Sequence, residues 1–147
     1  MQTQDAAQFH IIMVQGWVEK DGKFLMAQRS FQELQAPGAW AIPGGKVETV
    51  EGSAERILEQ TLKKEILEET GVIVSDAMQF VYNDAFTRVD GSTVVAITFL
   101  CQWQSGEARA LEDTEQIQWF TLEALENFSD AKPFLKRQIT ELVKFLE

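Results

Sequence analysis

The stretch from residue 40 to residue 72 constrains the fold of this chain most, because it joins a glycine-rich turn to a segment with helical periodicity and clustered acids. Pro43, Gly44 and Gly45 interrupt regular structure, and a glycine without a Cβ lets the backbone approach a ligand closely. The stretch therefore predicts a ligand-approaching turn followed by a helix.

The predicted helix has an apolar side and a strongly acidic side. Apolar residues recur at every fourth position: Leu58, Leu62 and Ile66. Gly71 stands where a left-handed cap would end the helix, and Ser53 is a candidate cap for its first turn. Glu65, Glu68 and Glu69 are spaced i, i+3 and i+4, so their carboxylates project from one face.

Clustered carboxylates destabilise a helix unless a cation binds them. Like charges at i and i+4 cost about 0.2 to 0.5 kcal/mol per pair in water. Mg²⁺ prefers oxygen ligands, and proteins typically hold it through a few carboxylates together with substrate phosphates. We expect Mg²⁺ here, with Mn²⁺ able to substitute. Acidic triplets on helices are most often solvated surface, so the expectation depends on the surrounding residues.

These surroundings resemble the signature of the Nudix (MutT-like) hydrolases: a glycine, a glutamate after five residues, then Arg-Glu-apolar-x-Glu-Glu-x-Gly-apolar. Residues 64–72, KEILEETGV, match the second half except that Lys64 replaces the arginine. The first half fits less well. Both Glu48 and Glu51 are candidates for the early glutamate. Twelve residues separate Glu51 from Lys64, which is five more than the seven of the signature. The resemblance implies that Lys64 pairs with one of these glutamates and braces the loop, without the bidentate fork of an arginine.

The resemblance also implies the fold and the chemistry. The expected fold is α/β, a single domain over residues 1–147 built as an α/β/α sandwich around a mixed β-sheet. The expected reaction is hydrolysis of a nucleoside diphosphate linked to another group, by water attacking phosphorus. Three helix glutamates and a main-chain carbonyl are the expected metal ligands: Glu65, Glu68, Glu69 and Gly45. Glu65, Glu68 and Glu115 are the expected catalytic carboxylates, with Glu112 as the second choice after Glu115.

Basic and glycine residues are the expected contacts to the substrate. Arg29 ends a predicted strand where relatives in the family often carry a basic residue facing the phosphates, although a surface arginine at a strand end is an equally good interpretation. The other expected contacts are Gly44, Gly45 and Lys46. Trp40 and Ile42 are candidates for either pocket wall or core. His10 is the chain's one histidine, and we interpret it as a packed or surface residue.

Composition excludes some function classes. The formal net charge is -10 over 147 residues, which argues against binding duplex nucleic acid through its phosphates. The single cysteine, Cys101, excludes an internal disulfide, and its apolar strand predicts a buried thiol in a reducing compartment. There is no leader-like segment and no apolar run of membrane-spanning length, so we expect a cytoplasmic protein without membrane contact. The oligomeric state is left as either a monomer or a homodimer.

The remaining chain predicts strands and two helices. Residues 9–18 and 23–29 predict a hairpin around Asp21-Gly22. Residues 72–74 begin a strand, 78–88 and 93–103 form two longer ones, and 117–120 a short one after an acidic loop. Thr121 is a candidate helix cap. The segment 132–147 predicts a terminal helix that covers the sheet, with Phe134, Leu135, Ile139, Leu142, Val143 and Leu146 on its packing face.

Two function classes therefore compete. The first is a magnesium-dependent hydrolase of a small nucleotide, with a normal or oxidised (d)NTP as the first guess and pyrophosphate as a product. The second is a Nudix-fold module that binds a nucleotide or nucleotide sugar without cleaving it. The three intact helix glutamates favour the enzyme, whereas Lys64 and the extra residues keep the binding module in consideration.

Overall fold

The computed structural model describes residues 9–147, which form one mixed sheet with helices on both faces. In chain order the elements are β1 (Ile11–Lys20), β2 (Lys23–Arg29), β3 (Trp40–Ala41), β4 (Gly44–Lys46), α1 (Ile57–Thr70), β5 (Ile73–Thr87), β6 (Thr93–Ser105), β7 (Thr114–Thr121), α2 (Leu122–Glu126) and α3 (Pro133–Leu146). The expected α/β/α sandwich around a mixed sheet is confirmed.

The sheet is built around β1. The order is β3-β2-β1-β6-β5, with β7 paired to β2 and β4 paired to β1. β1 runs parallel to β6, and the remaining neighbours are antiparallel. At the hairpin, Asp21 and Gly22 both have positive φ, at 51° and 76°, as a type I′ turn requires. The predicted hairpin is confirmed.

β1 and β2 pair with each other only next to this turn, through Glu19↔Phe24 and Lys20↔Lys23. Farther along, β1 pairs with β4, where Val14 faces Gly45, while β2 pairs with β3. The two short strands β3 and β4 therefore occupy the gap where the hairpin strands part.

Alternating side chains of the strands build two cores, one on each face of the sheet. The face under α1 collects Val14, Val18, Leu25, Leu62, Ile66, Val72, Val74, Phe99 and Cys101. The opposite face, under α2 and α3, collects Trp17, Phe24, Met26, Leu100, Phe120, Leu125, Leu135, Ile139 and Leu142. The apolar strand β6 is covered on both faces, which explains why its sequence lacks the polar alternation of a half-exposed strand.

Three local predictions were wrong. Gly44 and Gly45 belong to the short strand β4 and not to a turn, because β1 supplies pairing partners for them. α1 begins at Ile57, after Arg56 in the left-handed region at φ 53°, so Ser53 lies too early to cap it. The segment 73–87 is one strand with register shifts, since bulges at Val74/Met78 and Phe80/Tyr82 carry it through the polar interruption.

The helix ends follow the predictions more closely. Gly71, at φ 77°, ends α1, and its N–H donates to the carbonyl of Leu67. The Thr121 hydroxyl accepts from the Ala124 N–H at 3.1 Å and caps α2. In α3, Leu135, Ile139 and Leu142 are buried as expected, but Leu146 is 39% exposed in the last turn. Over residues 9–147, no helix has the length and apolar character needed to cross a membrane.

Candidate active site

A cavity of about 550 Å³ lies where the hairpin strands part. Its walls come from both faces of the sheet: α1 contributes Glu65 and Glu69, and α3 contributes Phe134, Arg137 and Gln138. Strand β4 contributes Gly44, Gly45 and Lys46. The sheet thus brings the glycine strand and the acidic helix together at one cavity.

Both glycines of β4 sit where a side chain has no room. A Cβ on Gly44 would lie 2.2 Å from the carbonyl oxygen of Val14, and a Cβ on Gly45 would lie 2.5 Å from the carboxyl carbon of Glu65. Gly44 therefore lets the two backbones approach. Gly45 leaves space for the Glu65 carboxyl group itself.

The backbone groups of β4 divide between the sheet and the cavity. The Gly16 N–H donates to Pro43 O and the Val47 N–H donates to Ile12 O, on either side of the pair Val14↔Gly45. Because hydrogen-bonded and non-hydrogen-bonded pairs alternate in an antiparallel ladder, Gly45 faces β1 and Gly44 directs its amide and carbonyl away from it. Accordingly, the Gly44 N–H donates to Glu69 Oε1 at 3.4 Å.

The three helix glutamates have different surroundings. Glu65 and Glu69 line the cavity, whereas Glu68 turns toward Lys64, with Nζ and Oε1 3.6 Å apart. Burial and the neighbouring Glu68 raise the pKa of Glu65, against the opposing charge of Lys64. Burial, followed by the charge of Glu65, raises the pKa of Glu69 to about 8. The two cavity carboxyls therefore influence each other's ionisation, since the charge of Glu65 raises the pKa of Glu69.

Arg29 lies at the rim of the cavity and orders the segment that follows β2. Its Nε donates to the carbonyl of Gln35 at 2.8 Å, and its guanidinium lies 3.6 Å from a carboxylate oxygen of Glu33. The Arg29 charge also lowers the pKa of Glu69 against the effect of burial. The structure thus places Arg29 at the cavity, together with the exposed Lys46.

A loop after β6 brings Glu112 to the acidic helix. Its N–H groups meet the last carbonyls of α1: Arg109 donates to Thr70 at 2.8 Å, Leu111 to Glu69 at 3.0 Å and Glu112 to Glu68 at 3.4 Å. The loop therefore caps the helix end, and the negative charge of Glu112 contributes to raising the pKa of Glu65.

Glu115 lies elsewhere. It is exposed in β7, at a register shift between the pairs Arg29↔Thr114 and Gln28↔Gln116, and is not part of the cavity wall. The acidic cluster was interpreted as one loop, but β7 already begins at Thr114 because β2 offers it a full-length partner. Of the two expected candidates, the structure places Glu112 beside the acidic helix.

The expected brace between Lys64 and an early glutamate stays a prediction. Glu48 and Glu51 are both exposed, and within residues 9–147 neither forms a salt bridge. Of the two pocket-wall candidates, Ile42 lines the cavity, whereas Trp40 packs edge-on against Phe120 in the core. His10 is exposed ahead of β1. Cys101 is buried as predicted, and burial raises the pKa of its thiol to about 12.

Comparison with known families gives the assignment. The sequence matches the NUDIX domain over residues 12–142. This chain belongs to the NUDIX family.

This NUDIX chain is similar to proteins with enzyme names and to a protein of known structure. It is 32% identical over 115 residues to an ADP-ribose pyrophosphatase of Methanocaldococcus jannaschii, across 78% of this chain but only 63% of that protein, less than two thirds of its length. It is 28% identical over 120 residues to the nucleoside triphosphatase NudI of Escherichia coli, across 76% of this chain and 82% of that protein. The structure of a MutT protein from Methanosarcina mazei shares the fold, with a TM-score of 0.78, 20% identity, and coverage of 97% of this chain and 99% of that chain.

The donor set of this NUDIX domain fits a hard divalent cation. The available groups are carboxylates and main-chain carbonyls. Burial and the charges of neighbouring glutamates raise the pKa values of Glu65 and Glu69, and a bound cation would oppose both effects. Within residues 9–147, no three acidic, histidine or cysteine side chains already converge as a preformed cage. Mg²⁺ needs only one or two carboxylates together with substrate phosphates, so the cavity pair Glu65 and Glu69 suffices as a starting set.

Sequence reasoning missed the part of the cavity that lies next to α3. Asp84, Phe86 and Arg88 reach it from β5 and its turn, and Phe134, Arg137 and Gln138 from α3. One signal was present, since Gln138 occupies the helical face of Leu135, Ile139 and Leu142, where a polar residue is out of pattern. The residues of β5 carried no such signal, because their side of the cavity depends on the register with β6.

Proposed function

We propose that this NUDIX domain is a magnesium-dependent pyrophosphohydrolase that cleaves a nucleoside diphosphate linked to another group. One observation carries the proposal: two carboxyls of α1, Glu65 and Glu69, lie in a cavity against a glycine strand, and a Cβ on Gly45 would displace the Glu65 carboxyl. The names of the relatives, an ADP-ribose pyrophosphatase and a nucleoside triphosphatase, support the same reaction class.

Carboxylates of α1 and a main-chain carbonyl of β4 are the groups that would bind the metal ion. Glu65 and Glu69 would hold the metal ion, and Glu68 would join them by leaving its surface pair with Lys64. A main-chain carbonyl of β4 completes the set. Gly45 is the expected donor, and the alternation of the ladder favours Gly44, whose carbonyl points away from β1. When bound, Mg²⁺ neutralises the diphosphate charge and lowers the pKa of a water molecule.

Other side chains would position the substrate and move the proton. Arg29 and Lys46 are the cations at the cavity that we assign to the phosphate oxygens. Glu112, held against the end of α1, is our choice for the base that accepts a proton from the attacking water, with Glu115 as the alternative. Because a diphosphate resists hydrolysis through its own charge, neutralisation and positioning supply most of the catalysis.

A non-hydrolysing nucleotide-binding module is the second candidate. The observation that favours it is the ion pair of Lys64 with Glu68, which withdraws one of the three glutamates from the cavity. An inactive module would keep the nucleotide pocket but would not form the complete metal site.

A substrate panel separates the two candidates. Purified protein with Mg²⁺ is incubated with normal and oxidised (d)NTPs, ADP-ribose, dinucleoside polyphosphates and nucleotide sugars, and monophosphate products are measured by chromatography. We expect cleavage of at least one compound class, with (d)NTPs the first guess, and loss of cleavage in EDTA. Tight nucleotide binding without product from any compound would favour the binding module. A cytoplasmic location belongs to the same proposal, supported by the single free, buried Cys101.

A further inference from the structure

Strand β5 forms one edge of the sheet and exposes unpaired backbone groups. Within residues 9–147 it pairs with β6 alone. The Arg88 N–H donates to the Ser92 carbonyl at 2.8 Å across the turn between β5 and β6. Because hydrogen-bonded and non-hydrogen-bonded pairs alternate in an antiparallel ladder, Asn83, Ala85 and Thr87 direct their amides and carbonyls away from β6. All three residues are exposed, so this edge can accept another strand.

The regular part of this edge is short. Register shifts at Val74/Met78 and Phe80/Tyr82 interrupt the pairing of β5 with β6, whereas residues 82–87 pair with residues 93–98 without a shift. A bulge bends and twists a strand, which keeps an added strand from following it. An added strand therefore pairs with residues 82–87 and with Arg88, whose bond to Ser92 continues the ladder.

Three side chains of this stretch lie on one face of the sheet. Asp84, Phe86 and Arg88 alternate along the chain, and all three line the cavity. Phe86 is 42% exposed, and within the described residues neither Asp84 nor Arg88 forms a salt bridge. An acid and a base thus flank an exposed aromatic ring at equal spacing. This order is self-complementary, because a half-turn about Phe86 exchanges the acid with the base.

We propose that β5 is a homodimer interface in which two copies of the chain pair antiparallel through residues 82–88, with the twofold axis between the two Phe86 side chains. Asp84 then lies opposite the partner's Arg88, and Arg88 lies opposite the partner's Asp84, as an isologous contact requires. Side chains directly opposite each other have their Cβ atoms about 4.5 to 5.5 Å apart, which permits both ion pairs and contact between the two rings.

Charge favours this register and a second copy of the same chain. A twofold axis at Asp84 would place two carboxylates opposite each other, and an axis at Arg88 would place two guanidinium groups opposite each other. Like charges directly opposite destabilise a sheet. In the proposed register each charged residue of 82–88 faces its opposite. The formal net charge of -10 opposes association elsewhere on the surface, so the dimer depends on this local match.

The interface adjoins the cavity. Because Asp84, Phe86 and Arg88 also line the cavity, pairing would place the partner's Phe86 and Arg88 against its β5 wall. Each copy would thus supply part of the other's cavity surroundings. The proposal goes beyond the proposed function and does not rest on it, since it concerns association of the protein without substrate.

Sedimentation equilibrium from micromolar to submillimolar concentration tests the interface. The wild type should approach twice the chain mass of 16.7 kDa as concentration rises. Asp84→Arg and Arg88→Glu each place like charges opposite each other at both pairs, so each should raise the dimer dissociation constant about 10-fold or more. Lys23→Glu makes the same change in net charge as Arg88→Glu at an exposed site on β2, which β1 and β6 separate from β5. This control should dimerise like the wild type.

Mixing the two variants distinguishes loss of the interface from misfolding. An Asp84→Arg chain paired with an Arg88→Glu chain has opposite charges at both positions, so an equimolar mixture should form a heterodimer. The double variant Asp84→Arg/Arg88→Glu should dimerise by itself for the same reason. A wild type that stays monomeric over the whole concentration range would overturn the proposal. Single variants that dimerise like the wild type, or a mixture that stays monomeric, would overturn it as well.

Discussion

A Cβ on residue 45 would lie 2.5 Å from the carboxyl carbon of Glu65, so the glycine and the glutamate occupy adjoining space. The atoms of Glu65 that would clash are the far end of a flexible side chain, and they can move away at low cost. At Gly44 the clash is with the backbone oxygen of Val14, which cannot move without breaking the pairing of β4 with β1.

Replacing each glycine by alanine should therefore have a different effect, on activity at residue 45 and on stability at residue 44. Gly45→Ala should keep its fold and lose metal-dependent activity, because the Glu65 carboxyl is displaced. Gly44→Ala should lose about 1 to 3 kcal/mol of stability or more, because the overlap involves backbone. Urea unfolding and activity assays on both variants check this. A Gly45→Ala protein with wild-type turnover would contradict the placement of Glu65 at the metal.

Mg²⁺ should stabilise the folded protein. An ion that binds only the native state adds about 2.7 kcal/mol at a hundred times its dissociation constant. For a chain of this length that corresponds to about 5 to 10 °C in Tm. Thermal melts in EDTA, Mg²⁺ and Mn²⁺ measure the shift, with the double variant Glu65→Gln/Glu69→Gln as the control that should not respond. An equal response in that variant would place the ion elsewhere.

Charge at the helix glutamates should matter more than their shape. Glu69→Gln or Glu68→Gln should lower kcat on the order of 100-fold or more with the fold intact, because an amide keeps the volume but loses the charge that binds a hard cation. Lys64→Ala should lower kcat far less, because Lys64 forms only an exposed i,i+4 ion pair with Glu68, and such a pair contributes little stability in water. Steady-state kinetics on all three variants decide the ranking. Wild-type turnover in both glutamine variants would contradict the assignment of Glu68 and Glu69 to metal binding.

Glu112 and Glu115 give a matched pair for identifying the base. Glu112→Gln should lower kcat, because the amide cannot accept a proton and the loop that carries Glu112 is fixed to the last carbonyls of α1. Glu115→Gln changes an exposed residue of β7 and should leave kcat within about twofold. The reverse ranking would show that β7 approaches the substrate in the catalytic complex.

The metal-free protein should become less stable as pH rises. The pKa of Glu69 is raised from 4.5 to about 8, so above its unfolded value the unfolded chain releases this proton while the folded protein keeps it. The contribution of Glu69 to stability therefore falls between about pH 4.5 and pH 8 and is constant above that range. In EDTA, Glu69→Gln should be increasingly more stable than the wild type from pH 5 to pH 8, as measured by urea unfolding. A difference that does not vary with pH would contradict the raised pKa.

Local sequence patterns predicted the elements that depend on neighbours in the chain. The spacing of Glu65, Glu68 and Glu69 follows from helix geometry alone, and Asp21-Gly22 specifies its own turn. Features set by distant partners were predicted less well. The strand character of Gly44 depends on β1, and the early start of β7 at Thr114 depends on β2. Periodicity within one segment does not contain that information.

The site shows the same division. The carboxyls at the α1 end of the cavity could be predicted because Glu65 and Glu69 share one helix face, whereas the α3 end was missed because its residues come from elements far apart in the chain. Gln138 was the exception that a closer reading of the α3 pattern could have found, as a polar residue on an otherwise apolar face.

The parallel pairing of β1 with β6 has a consequence for synthesis of the protein. Gln15 on β1 donates to Thr98 on β6 at 3.0 Å, across 83 positions of the chain. A growing chain therefore cannot close the cavity until β6 has left the ribosome, even though the glycine strand and the acidic helix are already present. Until then one edge of β1 has no partner, and such an edge can pair with other unfinished chains. Slowing translation just before β6 should prolong this vulnerable interval, so the yield of soluble protein should depend on codon usage in that segment.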